Sequence, residues 1–247
     1  MPPSLADRLI LASQRSALLA LPTLLVAVFA LHFRSAADFF NFKWSYAPRP
    51  PGDVVPSLIA AANNAPLIHD PHVIVYLALP LFLLCASGLY SLGRRARPMA
   101  SLIAMAISVV GVIYLGGLFS MWAAFYRGLG DVDPRFIEGA TATFAAMSAS
   151  KGAFLLTTSL SKLAFVGVAL QALALVGTRL VPRWSPALVV AGCALFLAFW
   201  DLDNWMLIGS VLMLLGFLPV RAGLSSQYLR SSASAPANGV LAETRTG

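Results

Sequence analysis

Apolar residues along this chain gather into six blocks, 16–33, 72–93, 100–126, 154–178, 185–201 and 204–221, each nearly free of charge. Spanning a hydrocarbon core of about 30 Å takes about 20 helical residues at a rise of about 1.5 Å each, which is the scale of these blocks. The ten-residue alternating strands of an outer-membrane barrel do not occur. Lipid requires each spanning segment to satisfy its own backbone hydrogen bonds, so the pattern predicts an all-α, polytopic membrane bundle of six helices over residues 1–221. External loops are expected at 34–71 and 127–153, and a disordered Ser- and Ala-rich cytoplasmic tail at 222–247.

Finer patterning fills in the connections. Residues 1–15 form a short amphipathic lead-in, with Leu5, Leu9, Ile10 and Leu11 against Asp7 and Arg8. The first external loop opens with Phe39, Phe40, Phe42, Trp44 and Tyr46, and Pro48, Pro50 and Pro51 then oppose regular structure. The stretch 55–64 is expected as a short interfacial helix, and 139–150 as a second one. Gly111, Gly116 and Gly117 allow a neighbour to approach the third span closely. The first block is read as a retained helix rather than a secretory signal, because 17–33 is long for a signal core and no small-x-small cleavage site follows.

Composition agrees with the pattern: 59% of the 247 residues are hydrophobic and 11% are charged, against about 25% charged in a soluble domain. The net charge of +7 would suit nucleic acid if it were spread over one surface. It is instead sorted by loop. Arg8, Arg15, Arg94, Arg95, Arg97, Arg179, Arg183, Arg221, Arg230 and Arg245 fall on one side of the six-span arrangement. Arg34, Lys43, Arg49, Arg127, Arg135 and Lys151 fall on the other, together with Asp38, Asp53, Asp70, Asp131, Asp133, Glu138, Asp201 and Asp203. The short turns holding Arg94, Arg95 and Arg97, and Arg179 and Arg183, weigh most under the positive-inside rule. Both termini are therefore expected in the cytoplasm of a bacterial cell, in a multi-pass protein of the cytoplasmic membrane. The expected partner is the lipid bilayer, with a membrane-protein partner or a second copy also open, and no nucleic acid. Trp122, Trp200 and Trp205 should sit at the outer interface, and Trp184 with Arg183 at the inner one.

Candidate chemistry is sparse. Lys162 is the strongly ionisable residue inside a span. It either snorkels outward or pairs with Asp201 or Asp203, whose turn closes the same end of the bundle. Gln171, nearer mid-membrane, is expected to hydrogen-bond a neighbouring helix, with a solute contact as the alternative. His69, Asp70 and His72 resemble a weak metal cluster. The simpler reading makes Asp70 a helix N-cap followed by Pro71 at the first helical position, with no metal. Cys85 and Cys193 are expected as small buried apolar residues. Thr157, Thr158, Ser159 and Ser161 lack an accompanying base and are read as helix-packing hydroxyls. No Gly-rich phosphate loop, Cys-x-x-Cys or His-Glu-x-x-His occurs, and His32, His69 and His72 are not placed as axial haem ligands, so no cofactor and no catalytic residue is assigned.

The segment Leu180-Val181-Pro182-Arg183-Trp184 resembles the Leu-x-Pro-Arg-Trp motif of a family of uncharacterised bacterial six-helix integral membrane proteins, which carry it at the cytoplasmic turn before helix five. Leu58-Ile59-Ala60-Ala61-Ala62-Asn63-Asn64, followed by a helix ending in Leu89-Tyr90, is similar to the same family, and together these cover most of residues 55–221. The resemblance implies the six-helix topology without a reaction. This chain departs from it in a longer aromatic first loop and in lacking an Arg and a Glu in the third span. The expectation for function is a non-enzymatic accessory or sensing component with an external cap. A small-solute transporter or channel with Lys162, Asp201 and Asp203 near a polar outer mouth is the second reading. An intramembrane enzyme using the His69 and His72 neighbourhood is the third.

Overall fold

The computed structural model describes residues 4–31, 65–149, 152–200 and 203–233, and every regular element among them is helical. Among the described residues nine α-helices follow in order: α1 (Leu5–Ala30), α2 (Ala65–Leu77), α3 (Leu79–Gly93), α4 (Pro98–Asp131), α5 (Ile137–Ala149), α6 (Ala153–Ser161), α7 (Leu163–Ala174), α8 (Trp184–Ala198) and α9 (Asp203–Ala233), with a short 3₁₀ turn at Pro134–Phe136. Four helical stretches are long and apolar enough to cross a membrane: α1, α4, the joined α6–α7 and α9. Among the described residues the protein is thus all-α, with four helical stretches fit to span a membrane, and α3 and α8 are shorter apolar helices packed among them. The expected interfacial helix at 55–64 lies outside the described residues, whereas 137–149 is helical as α5.

Helix boundaries follow local chemistry. Ser4 and Asp7 form a reciprocal capping box that starts α1 well before the apolar block, the Ser4 hydroxyl accepting from the Asp7 backbone N–H at 3.1 Å and the Asp7 carboxylate from the Ser4 N–H at 3.0 Å. The expected helix start at Asp70 and Pro71 is corrected: both lie inside α2, which begins at Ala65. Pro66, second in that helix, occupies a position that tolerates a missing N–H. The second apolar block breaks at Ala78, because Pro80 has no N–H to give the Tyr76 carbonyl and the chain tightens there, with Ala78 donating to both Ile74 and Val75. The last helix continues to Ala233, through the first part of the segment expected as a disordered tail.

The helices form a ring in which α4 meets α7, α7 meets α8, α8 meets α9, α9 meets α1 and α1 meets α3, with α3 also touching α4, α7 and α9. Leu18, Leu21 and Leu25 of α1, Phe82, Cys85 and Leu89 of α3, Phe165 and Val168 of α7, Val189, Cys193 and Phe196 of α8, and Met213 and Phe217 of α9 share one core. Two crossings bring backbones into contact. A Cβ at Gly111 of α4 would land on the backbone of Leu163 and Ala164 in α7. On the other side of the ring, a Cβ at Gly192 of α8 would lie 2.6 Å from the Gly209 carbonyl oxygen of α9. Such contacts suit a setting in which dispersion rather than water exclusion holds helices together. Just along that seam the Ser185 hydroxyl donates to the Gly216 carbonyl at 2.6 Å, in the helical turn that Pro219 weakens.

Candidate functional site

One end of the bundle is aromatic. The His72 ring lies 5.6 Å from Phe119, 6.2 Å from Trp122 and 5.3 Å from Tyr126, centroid to centroid, and Trp122 stacks on Tyr126 at 5.3 Å. Across the same end Phe199 stacks on Trp205 at 4.7 Å, and Trp200 meets Phe165 edge-on at 6.1 Å. His72 thus sits in a ring-lined niche on α2. His69 belongs to the same helix, with its side chain outside the described residues. Among the described residues no three His, Cys, Asp or Glu side chains gather as a metal site.

Lys162 occupies the break between α6 and α7. Its backbone stays right-handed (φ −62°, ψ −23°), and its carbonyl accepts from both Phe165 and Val166, at 3.1 and 3.2 Å. The break follows the hydroxyl run before it, where Ser161 donates back to the Thr158 carbonyl at 2.7 Å. The half-buried Lys162 ammonium stands 5.6 Å from the centre of the Trp200 ring, a cation–π distance. Asp201 and the Asp203 side chain, its proposed partners, lie outside the described residues.

Gln171 is 1% exposed and bridges three helices. In the amide orientation that satisfies both of its atoms, the nitrogen donates to the Ala86 carbonyl of α3 at 2.9 Å and the oxygen accepts from the Met105 N–H of α4 at 3.2 Å. Directly outward of it, a Cβ on Gly167 would strike Ser108 of α4. Gln171 is therefore a clamp inside packed protein. Gln14 plays a similar part on α1, donating to Ser87 at 2.7 Å and Ser91 at 3.2 Å.

The opposite end is cationic. Arg94, Arg95 and Arg97 are exposed on the turn between α3 and α4, and Arg179 and Arg183 on the segment between α7 and α8. Arg97 donates to the Val176 carbonyl at 3.4 Å, which puts both arginine turns at the same end. Beside that bond, Gly177, Arg179, Leu180, Val181, Pro182 and Arg183 line a pocket of about 520 Å³. Its wall is built by local chemistry. Gly177 (φ 81°) and Arg179 (φ 58°) both adopt left-handed backbone. Between them Thr178 donates to the Leu175 carbonyl at 2.8 Å and accepts from the Leu180 N–H at 3.3 Å. Val181 is buried where its loop crosses Gly223 of α9. A left-handed arginine costs about 1 kcal/mol or more, and residues in such conformations concentrate at functional sites.

Pattern reasoning assigned Arg183 and Trp184 to orientation and missed this pocket. Gly177 just beyond an apolar helix was the available signal, because glycine at that position ends helices in left-handed backbone. Comparisons with protein-family models, with curated proteins and with solved structures found no match.

Proposed function

We propose that the protein is a six-span component of the bacterial cytoplasmic membrane, with both termini in the cytoplasm, acting as a non-enzymatic accessory or sensing subunit. Support for six spans comes from the four long helices and from the two short ones that share their core. The four-residue turn 94–97 folds α3 back along α4, and the short connection from α8 folds it back along α9. At 15 residues, α8 is roughly 22 Å long. Arg183 and Trp184 before it and Trp200 after it suit the flanking anchors that a short span requires. The two arginine turns at one end and the Trp122 and Tyr126 rings at the other support this orientation. The family resemblance of residues 180–184 points the same way, and a partner protein or second copy would join through the lipid-facing surface or the external loops.

The observation that carries the accessory reading is Gln171. A transport route through the bundle would need to wet that residue, and it is 1% exposed and held on both amide atoms. Transport remains the second reading, favoured by the helix break at Lys162, because broken helices line transporter sites. One set of substituted cysteines tests both topology and route, since native Cys85 and Cys193 are buried. A membrane-impermeant maleimide added to intact cells should label Ala142→Cys, should label Ala96→Cys only after permeabilisation, and should not label Gln171→Cys. The reverse order for the first two would overturn the topology. Labelling of Gln171→Cys would move the assignment to transport.

A further inference from the structure

The reading above uses Arg179 and Arg183 only as orientation signals, and the chemistry of the pocket they line does not depend on which compartment it faces. Two guanidinium groups belong to a short segment that the fold holds at both ends. Arg97 ties the α4 side through the Val176 carbonyl, and Val181 is buried against α9 at the other. Neither Arg179 nor Arg183 pairs with a carboxylate among the described residues. At Arg179 the chain also holds a charged side chain on a backbone conformation that glycine would adopt without strain. The volume, about 520 Å³, lies within the range of small-molecule sites and exceeds what a bare oxyanion fills. Planar arginine forks match phosphate oxygens in pairs.

We propose that this pocket binds a phosphate ester, with Arg179 and Arg183 holding the phosphate oxygens and Arg97 adding charge at the rim. The remaining volume takes the organic part of the ligand. Two sources offer that chemistry: the headgroup of an anionic phospholipid, or a soluble phosphate monoester reaching the turn from water. Trp184, exposed beside the pocket, is placed as a headgroup-level residue would be.

The full chain, purified in a neutral detergent, would be melted with phosphatidylglycerol, with phosphatidylcholine, with inorganic phosphate and with glycerol 3-phosphate. A binding anion should raise the melting temperature by about 3 °C or more. Phosphatidylcholine should not. A response confined to phosphatidylglycerol identifies the lipid source, and one shared with glycerol 3-phosphate or phosphate identifies the soluble source. Arg179→Gln/Arg183→Gln should lose most of the shift, while Arg8→Gln/Arg127→Gln, which removes equal charge from exposed positions elsewhere, should keep it. Arg179→Gly separates binding from folding: its melting temperature without ligand should rise as the left-handed strain is relieved, yet its response should fall. The proposal is overturned if no anion shifts the wild type, if both double variants lose the response equally, or if Arg179→Gly responds in full.

Discussion

Substituting Gly192 by Ala tests whether backbone contact between α8 and α9 holds that side of the bundle together. The added methyl would lie 2.6 Å from both the Gly209 carbonyl oxygen and Met213 Cγ, and 3.1 Å from the Met213 nitrogen. Met213 Cγ can swing aside, but the Gly209 oxygen moves only if α9 moves. Restoring an ordinary contact of 3.4 Å requires the helices to part locally by about 0.8 Å. A gap of that order forfeits about a quarter to a half of each neighbouring dispersion contact, and overpacking of this kind costs up to about 3 kcal/mol. Alanine's better helix propensity returns about 1 kcal/mol. The net expectation is a loss of about 2 kcal/mol, read from unfolding in mixed micelles by tryptophan fluorescence. Gly209→Ala, whose methyl would meet the Gly192 oxygen at 2.9 Å, should behave alike. The double variant should lose less than the sum, by at least about 0.5 kcal/mol, since the second methyl enters space already opened. Gly128→Ala, with nothing within 4 Å of its added Cβ, should be neutral or stabilising by up to about 1 kcal/mol. If Gly192→Ala matches Gly128→Ala, the crossing is not packed as described.

Three further outcomes follow from single contacts. Ser185→Ala removes the 2.6 Å bond to the Gly216 carbonyl and should cost about 1 kcal/mol in the same unfolding assay; an unchanged midpoint would show that the hydroxyl contributes nothing. Lys162→Met should destabilise the fold, and by less when Asp201 and Asp203 are both changed to Asn; strictly additive effects would exclude the charge pairing. The Asp133 carboxylate is held below its usual range by the Arg135 side chain, at 2.7 Å, and then by the Arg135 backbone N–H, at 3.0 Å. Because its folded-state affinity for protons is lowered, its contribution is present above the ordinary aspartate value of 3.8 and fades as pH falls through the lower folded value. A carboxyl carbon titration should show that midpoint below 3.8, and Asp133→Asn should abolish the acid-side change in the Pro134–Phe136 turn.

Much of the helical order was legible because lipid leaves the backbone few choices, so apolar block length translates into helix. Gly111 was legible for the same reason: glycine in a span invites a close neighbour, and Ala164 is that neighbour. Gly116 and Gly117 look identical in sequence but meet only side-chain atoms, from Leu79 at 3.0 Å and Thr157 at 3.8 Å. Which glycine faces a backbone depends on helix rotation, and a span apolar on all sides carries no strong face to set it. The start of α2 went astray because Asp70-Pro71 and Ala65-Pro66 both offer an opening, and capping chemistry alone does not rank them. The pocket at 177–183 depends on Arg179 adopting left-handed backbone, which no residue type other than glycine announces.

The two ends of the bundle differ in what the surrounding protein leaves unsatisfied. At the aromatic end Lys162 faces Trp200, and His72 sits among Phe119, Trp122 and Tyr126, while the buried Thr158 hydroxyl has no hydrogen-bond partner among the described residues. At the arginine end the described carboxylate is Asp7, already engaged by Ser4. The buried Nε atoms of Arg15 and Arg221, on the neighbouring helices α1 and α9, have no acceptor among the described residues. Between the ends, Gln14, Gln171 and Ser185 turn their polar atoms onto helix backbones or hydroxyls. These side chains tie neighbouring helices together, and beyond Asp7 no carboxylate among the described residues answers the positive charge of the arginine end. Anions at that end would complete the structure as well as report to it, which is the physical basis for proposing a phosphate ester at the arginine turns.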